Sequence, residues 1–445
     1  MPQSKPEVPA RLQVLTASGL ERLDAAALRV LSTIGVAVPY LPARAALVAA
    51  GARAEGQVVR IPADVVRELV GQAPARLTLG ARANRTLVTG ARSLLTTDGC
   101  PTDIYDLDTG DKRPTTAADV AAVTRIVDAL DEIDFCWTTV SAQDRPVERR
   151  GLHEIYEVLA NTGKHAQTVT IVDGEQARVA VEMARAIAGG ERAVRRASPI
   201  SALLGTITPL GHDEGTLAAA FVFAQAGVPI GFVTMPQGGS TTPVTMAGSL
   251  VVGIAEALSG VCAVQAAFPG APVFICLIPS VMDLRTGDFS GGAPEDTLMG
   301  AAVGNLGAFY GLPTQCGVNA SAAKLPGWQS VIDDVTTTYL SLLAGVDMLA
   351  GVGMVAGGRI FSFEELVLGT EVTAAARAAA RAAAGTAATG ATGAARQVAA
   401  GLRAYGDDAR AAARERAREI LASHVPPPLE PGLDAELRRL VAGPE

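Results

Sequence analysis

The sequence predicts an α/β fold, a (β/α)8 TIM barrel with an N-terminal helical and strand cap and a helical C-terminal extension. Three observations predict it. Eight short apolar runs recur along the chain: near Ser93 (SLLTTDG), Phe135 (FCWTTVS), Ala166 (AQTVTIVD), Ser201 (SALLGTITP), Pro229 (PIGFVTMP), Pro272 (PVFICLIP), Pro313 (PTQCGVNA) and Val346 (VDMLAGVG). They are spaced by roughly thirty to forty residues, the length a parallel strand and its crossover helix need. Patterns of helical period lie between most of them. A doubly wound open sheet is the structural competitor, since strand count alone does not exclude it.

Residues 1–12 read as a loose, proline-containing tail. From Thr16 to about Pro74 the reading is helical, with Gly35 and Gly51 as breaks and Leu20, Leu23, Leu28 and Leu31 on one buried side. Ile61-Pro62-Ala63-Asp64 starts a further helix. Leu77–Tyr105 alternates and turns often, as short strands do. Residues 1–90 form the expected cap and 91–372 the expected barrel. In the barrel, Val120, Val123, Val127 and Leu130 line one helix face, entered through Thr115-Thr116. Leu152, Ile155 and Leu159 line the next. Val179, Met183 and Ile187 line a third, and Val331, Val335, Tyr339 and Leu342 a fourth. Gly227, Gly311 and Gly345 stand where helix C-termini want a left-handed residue. The clearest βα unit is Ala271–Asp296. Its uncharged run Val273–Ile278, bounded by Pro272 and Pro279, reads as a strand buried on both faces. It empties into a polar, glycine-rich loop and then Pro294-Glu295-Asp296, a good helix start. Sites in such folds lie in the loops after the strands' carboxyl ends.

Two helical stretches, 215–226 and 247–267, are apolar all round, with Glu256 their only charge. They are expected to meet another subunit or domain, which predicts a homo-oligomer. Residues 373–445 are the expected extension, Ala-rich and of low complexity at first, then a charged helix, a proline-rich segment and a last short helix.

Composition excludes several classes. Net charge is −8, and no basic run exceeds pairs such as Arg149-Arg150, which argues against nucleic acid. The five cysteines, Cys100, Cys136, Cys262, Cys276 and Cys316, are far apart and lack metal-ligand spacing. A reduced, cytoplasmic setting and no metal of its own are the expectation. The N-terminus lacks the apolar core of a signal peptide. Pro269, Gly270 and Pro272 break the uncharged stretch 257–282, so no membrane span is expected.

Six ordered motifs carry a family resemblance: TGDKRPTTAADV (109–120), NTGKH (161–165), MPQGGSTTPVTMAGSLV (235–251), AEALSGVCAVQAAFPGAPV (255–273), MDLRTGDFSGGAPE (282–295) and YGLPTQCG (310–317). Through them the chain resembles the trimethylamine methyltransferase family over roughly residues 15–370. These are corrinoid-dependent methyltransferases that act on methylamines and quaternary amines. The resemblance implies a TIM barrel, a small quaternary or tertiary amine as methyl donor, and a separate corrinoid protein as acceptor. The resemblance implies an acidic residue near the position of Gly327, in the segment NASAAKLPGWQS after strand seven, where this chain has none. Nothing marks a pyrrolysine, so the chain is similar to the non-pyrrolysine branch, which resembles betaine demethylases.

Displacing a neutral amine from a methyl group needs no proton. It needs positioning and a dry, electrostatically tuned pocket. Asp283 and Arg285, just past strand six, are candidates to face an ammonium and to fork onto a carboxylate. The bland alternative is that they pair with each other. Glu295 is a third catalytic candidate, against stabilisation of a helix N-terminus. Asp98, His212, Met235 and Gln237 end strands one, four and five and are candidate substrate contacts, against turn, cap and core-filling roles. Lys324 follows strand seven. As a Schiff-base amine it would make the chain a barrel lyase or aldolase, while as a solvated loop lysine it is unremarkable. Gly353 and Gly357 follow strand eight, where barrels often hold a phosphate or a cofactor tail. A further alternative is a betaine-binding homologue without catalysis.

Overall fold

The computed structural model describes residues 11–83, 85–383 and 408–443. Eight parallel strands close on themselves: β1 (Leu94–Thr97), β2 (Phe135–Trp137), β3 (His165–Thr168), β4 (Ile200–Ile207), β5 (Ile230–Thr234), β6 (Val273–Leu277), β7 (Thr314–Gly317) and β8 (Met348–Val352). β3 pairs with β4, and β8 pairs back onto β1. The predicted TIM barrel is therefore the fold, and the open sheet is excluded by closure. Four strands begin directly after a proline. The carbonyls of Pro199, Pro229, Pro272 and Pro313 accept from Ala166, Ala202, Ile230 and Ile275 of neighbouring strands. Proline suits that first position because its missing N–H falls outside the ladder.

Each strand is followed by a helix: α1 (Ala117–Ala129), α2 (Arg150–Asn161), α3 (Gly174–Ala188), α4 (Glu214–Ala226), α5 (Met246–Ala267), α6 (Pro294–Tyr310), α7 (Trp328–Ala344) and α8 (Phe363–Ala383). Thr116 and Asp119 cap α1 reciprocally. Gly227, Gly311 and Gly345 end α4, α6 and α7 with φ of 78°, 67° and 83°. Helix α8 runs through residue 372 to Ala383. The rest of the Ala-rich stretch, 384–407, lies outside the described residues.

The apolar helices are covered within the chain. The cap helices Ala17–Arg29, Leu41–Ala49 and Ala63–Gly71 pack on α5. Tyr40 sets its ring edge-on against Phe221 of α4 at 5.3 Å. An apolar cleft of about 690 Å³ remains between the first cap helix, α5 and α6. The apolar circumference of α4 and α5 thus reflects burial between barrel and neighbours, and no subunit is needed to explain it. Helix α5 is long and apolar enough to cross a membrane but is 78 % buried in the fold. The stretch expected to be helical around Gly51 holds a hairpin instead, Arg53–Glu55 against Val58–Arg60, turning at Gly56 with φ 61°. The β-branched pair Val58-Val59 favours strand there.

Helix α7 turns its expected face only partly inward: of Val331, Val335, Tyr339 and Leu342, Val335 is exposed and the other three are half-buried. Ser330, Asp334, Thr337, Thr338, Ser341 and Ala344 are buried, while Trp328, Ile332, Val335 and Leu343 are exposed. Some inward polar groups have local partners, since Ser330 donates to Glu365 at 2.9 Å and Thr338 to Asn319, while the Asp334 carboxyl oxygens and the Ser341 hydroxyl have none among the described residues. Buried polar groups matched in this way can outcompete an apolar stripe for the inner side.

Candidate functional site

Alternation along the strands sorts each residue into the lumen or the helix layer. Leu94 and Thr96, Phe135 and Trp137, Leu203, Val233, Phe274 and Cys276, Met348 and Ala350 face inward, most of them in one apolar cluster. Polar floor residues bind one another across the lumen. Gln167 of β3 donates to Gln315 of β7 at 3.2 Å, and His165 Nε2 lies 2.8 Å from Ser201 Oγ. Burial drives the His165 imidazole down to about 4, so it is neutral.

One step above this floor, the carboxyl ends bring Asp98, Val169, Gly205, Met235 and Ile278 to the mouth, by the same alternation. Asp98 is buried, and its only hydrogen bond among the described residues is from the N–H of Gly99, at 2.7 Å. No salt-bridge partner reaches it among the described residues. Burial pushes the carboxyl up to about 6, against an ordinary value of 3.8. Its charge is felt by Cys276 across the lumen and by Cys100 beside it, whose thiols are pushed well up, mainly by burial. Gly99 is required by packing, since a Cβ there would lie 2.1 Å from Trp137 Nε1. That indole N–H is itself buried and unpartnered among the described residues, beside Gly99. The mouth thus combines one desolvated carboxylate with apolar walls, an arrangement that holds a cation.

The loops after β5 to β8 interlock around this mouth. Gln237-Gly238 pairs with Ser280-Val281, so the loops after β5 and β6 share a two-stranded ladder. Asp296 accepts from Val281 N at 2.9 Å and from Ser290 Oγ at 2.7 Å, fixing the loop after β6 from below. Ala322 donates to Gly291 O, Ala356 to Ala323 O and Gly357 to Ser321 O. On the other side, buried Glu154 of α2 accepts from Ala142 N at 2.8 Å and Ser141 Oγ at 3.2 Å, tying down the loop after β2.

Among the residues singled out from sequence, Asp98 and Met235 stand at the mouth, at the ends of strands on opposite sides of the barrel, and Gln237 stands just beyond on the rim ladder. The others fall elsewhere. Asp283 and Arg285 pair with each other at 3.5 Å on an exposed turn closed by Asp283 N to Asp288 O. That hydrogen-bonded turn and Arg285 hold the Asp283 carboxyl below its usual range. Glu295 is exposed in the first turn of α6, where a carboxylate complements the helix N-terminus. His212 is buried outside the lumen, 2.8 Å from Ser259 Oγ of α5 and edge-on to Phe232. Lys324 is exposed, and its carbonyl takes the Tyr105 hydroxyl at 2.8 Å. The buried lysine is Lys164, whose Nζ donates to the carbonyls of Val127, Leu130 and Ile133 at 2.7–2.8 Å, capping α1. Gly353 and Gly357 are explained by packing: a Cβ would meet the Phe361 ring at 2.5 Å and Phe289 at 3.0 Å. The Gly357 N–H, which a phosphate would need, is already donated to Ser321 O.

Trp137, Glu154, Val169, Gly205, Ile278 and Asp296 were not singled out from sequence. For Val169, Gly205 and Ile278 the available signal was strand alternation carried one step past the strand end. No group of three or more His, Cys, Asp or Glu side chains is placed to hold a metal among the described residues.

A TIM barrel with an acidic, otherwise apolar mouth defines an α/β enzyme scaffold whose site suits a small cationic molecule. The family profile described as trimethylamine methyltransferase (MTTB) matches residues 2–407, and the chain belongs to that family. It is 28 % identical over 366 residues to a glycine betaine methyltransferase of Desulfitobacterium hafniense strain Y51, covering 81 % of this chain and 76 % of that one. It is 30 % identical over 370 residues to the trimethylamine methyltransferase MttB of Methanosarcina thermophila, with the same coverages. Among solved structures, the monomethylamine methyltransferase of Methanosarcina barkeri superposes with a TM-score of 0.56 at 12 % identity, over 93 % of this chain and 89 % of that one. That likeness concerns the fold.

Proposed function

We propose that this chain moves a methyl group from a small quaternary or tertiary amine to a corrinoid carried by a separate protein. The observation that carries the reading is Asp98, a buried lumen carboxylate whose only hydrogen bond among the described residues is from the adjacent backbone N–H. An ammonium seated against it supplies the missing countercharge, and Val169, Met235 and Ile278 shield the N-methyl groups from solvent. The reduced cobalt of the corrinoid supplies the electron pair that takes the methyl. The amine leaves with its own pair, so no general acid is required. The protein supplies alignment and a dry electrostatic cradle. Family membership and relatives named for trimethylamine and glycine betaine support the donor class. Exposed apolar side chains ring the mouth, among them Ile207, Met235, Leu284, Leu325 and Trp328, a surface suited to a broad protein partner. The apolar outer face of α7 supports a contact between copies of this chain, and four buried thiols fit a reducing, cytoplasmic setting.

The test is a panel of methylated amines and betaines incubated with cob(I)alamin and the full chain, read as the visible absorbance of methylcobalamin. Methylation with at least one donor is expected. Absence of methylation across the panel, with the donors nevertheless bound, would leave a binding protein.

A further inference from the structure

Glycine inside a strand weakens it and needs a reason: a bulge, a positive φ, a close neighbour or a ligand. Most strand and helix glycines around this lumen have one in the protein itself. A Cβ on Gly231 of β5 would meet the Phe274 ring at 2.2 Å, one on Gly317 of β7 would meet Ile278 at 2.9 Å, and one on Gly260 of α5 would meet Phe232 at 2.5 Å. Gly351 of β8 has φ 144° at a register shift. Gly205 of β4 has none of these. Its φ is ordinary for a strand, and its pairing with β5 is regular from Ala202↔Ile230 through Gly205↔Val233. A Cβ there would find nothing within 4 Å. Its neighbours fix its direction: Leu203 lies in the lumen cluster, Leu204 in the helix-side core, and Thr206 turns outward to Glu256 at 2.7 Å. Gly205 therefore faces the lumen, is exposed, and keeps space open at the same end as Asp98.

We propose that Gly205 is a specificity-determining position whose missing side chain gives clearance for the alkyl groups of the bound ammonium. This rests on the mouth being the ammonium site. A side chain here would narrow the mouth from the β4 side, beside Met235 and Val169. Substitution should penalise each added N-methyl group while leaving the smallest ammonium ion nearly unaffected.

The experiment titrates methylammonium, dimethylammonium, trimethylammonium and tetramethylammonium calorimetrically into the full-length chain, its Gly205→Ala variant and its Gly205→Val variant. Melting temperatures are taken alongside. Both variants should melt no lower than the parent, because the space is free and a strand glycine is removed. Affinity for tetramethylammonium should fall about tenfold in Gly205→Ala and further in Gly205→Val, the scale set by one methyl group in a fitted pocket. Affinity for methylammonium should change by less than about threefold on the same scale. A parent that binds none of the four overturns the ammonium reading, and this proposal with it. A parent that binds them, with a folded Gly205→Ala variant that keeps the parent's ratio of affinities, overturns this proposal alone.

Discussion

Asp98→Asn tests stability and function together, with opposite signs. The Asp98 carboxyl sits at about 6 in the fold, against 3.8 ordinarily, because burial penalises its charge. A group whose folded value is raised favours the protonated state in the fold. Its contribution to stability is complete below pH 3.8, is lost as pH rises toward 6, and stays lost above. At about 1.4 kcal/mol per pKa unit, the loss is about 3 kcal/mol. Asparagine keeps the size and the acceptor for Gly99 N–H but carries no charge. Among the described residues no acceptor bonds at this position, so its own amide N–H groups stay unpaired in the lumen, which offsets part of the gain, at about 1–2 kcal/mol. At pH 8 the variant should therefore be more stable than the parent by about 1–2 kcal/mol, and at pH 3.5 that advantage should be gone.

Function should move the other way. A bound ammonium holds Asp98 ionised, so parent affinity should rise with pH through about 6 and ammonium binding near pH 5.5 should release a proton. Removing the countercharge leaves the cation desolvated and unpaired, which should lower affinity or kcat/KM about a hundredfold or more. The assays are denaturant unfolding of both proteins from pH 3.5 to 8, and calorimetry in buffers of different ionisation enthalpy to count protons. An Asp98→Asn variant that is less stable than the parent at pH 8, and that retains parental binding, would refute the reasoning.

Other outcomes follow from the same geometry. Asp283→Asn and Arg285→Lys alter an exposed pair on a self-closed turn, so both variants should keep the parent's melting temperature and turnover within about threefold; a tenfold fall in methylcobalamin formation would bring that loop into the site. Lys324→Ala should leave turnover intact and borohydride should trap no carbonyl compound on the parent, since an exposed lysine lacks the burial that activates a Schiff-base amine. Asp334 is held well above the usual carboxylate range by burial and by Glu365, so its protonated form favours the fold. Stability from this group should be present below about pH 4 and fall as pH rises, and Asp334→Asn should flatten that fall in urea titrations. Sedimentation at micromolar concentration should show a species larger than 45.4 kDa, reduced to that mass by Ile332→Asp combined with Val335→Asp on the exposed face of α7.

The fold was legible because its signals are redundant. A buried parallel strand must be apolar on both faces, and Val273–Leu277 shows this as an unbroken run that begins directly after Pro272. Helices α1 and α2 show it as period, with Val120, Val123, Val127, Leu152, Ile155 and Leu159 all buried. Helix α7 shows the limit of period. It fixes which residues share a face but not which face turns inward, and here the hydrogen-bonding serines and threonines go inside. The candidate site was less legible for a related reason. A loop rich in charge, such as the one carrying Asp283 and Arg285, looks chemical in sequence, yet short-range hydrogen bonds can satisfy all of it locally. Asp98 looks like a turn residue in sequence, and its burial comes from β2 and the opposite wall, which no local window contains. Likewise His212 reads as a loop residue until the hairpin after β4 folds it onto α5.

The two sides of the mouth differ in a way that bears on partner access. From β5 to β8 the loops are joined to one another by a ladder and by main-chain hydrogen bonds, so that side moves as one piece if it moves at all. Beside β4 the lumen wall ends in a glycine, and the hairpin above it is anchored outward, through Thr206, Thr208 and Leu210 N to buried Glu256. Burial raises the Glu256 carboxyl, while these three donors lower it. In the proposed reaction the stiff rim positions the acceptor and the open side admits the donor. Glu256→Gln should loosen the open side alone, since an amide can replace only part of that three-donor clasp. It should therefore raise the KM for the amine more than it lowers kcat with cob(I)alamin, with faster amide hydrogen exchange confined to residues 205–212. Equal losses in both parameters, or exchange that quickens across the β5–β8 loops as well, would show that the two sides are mechanically one.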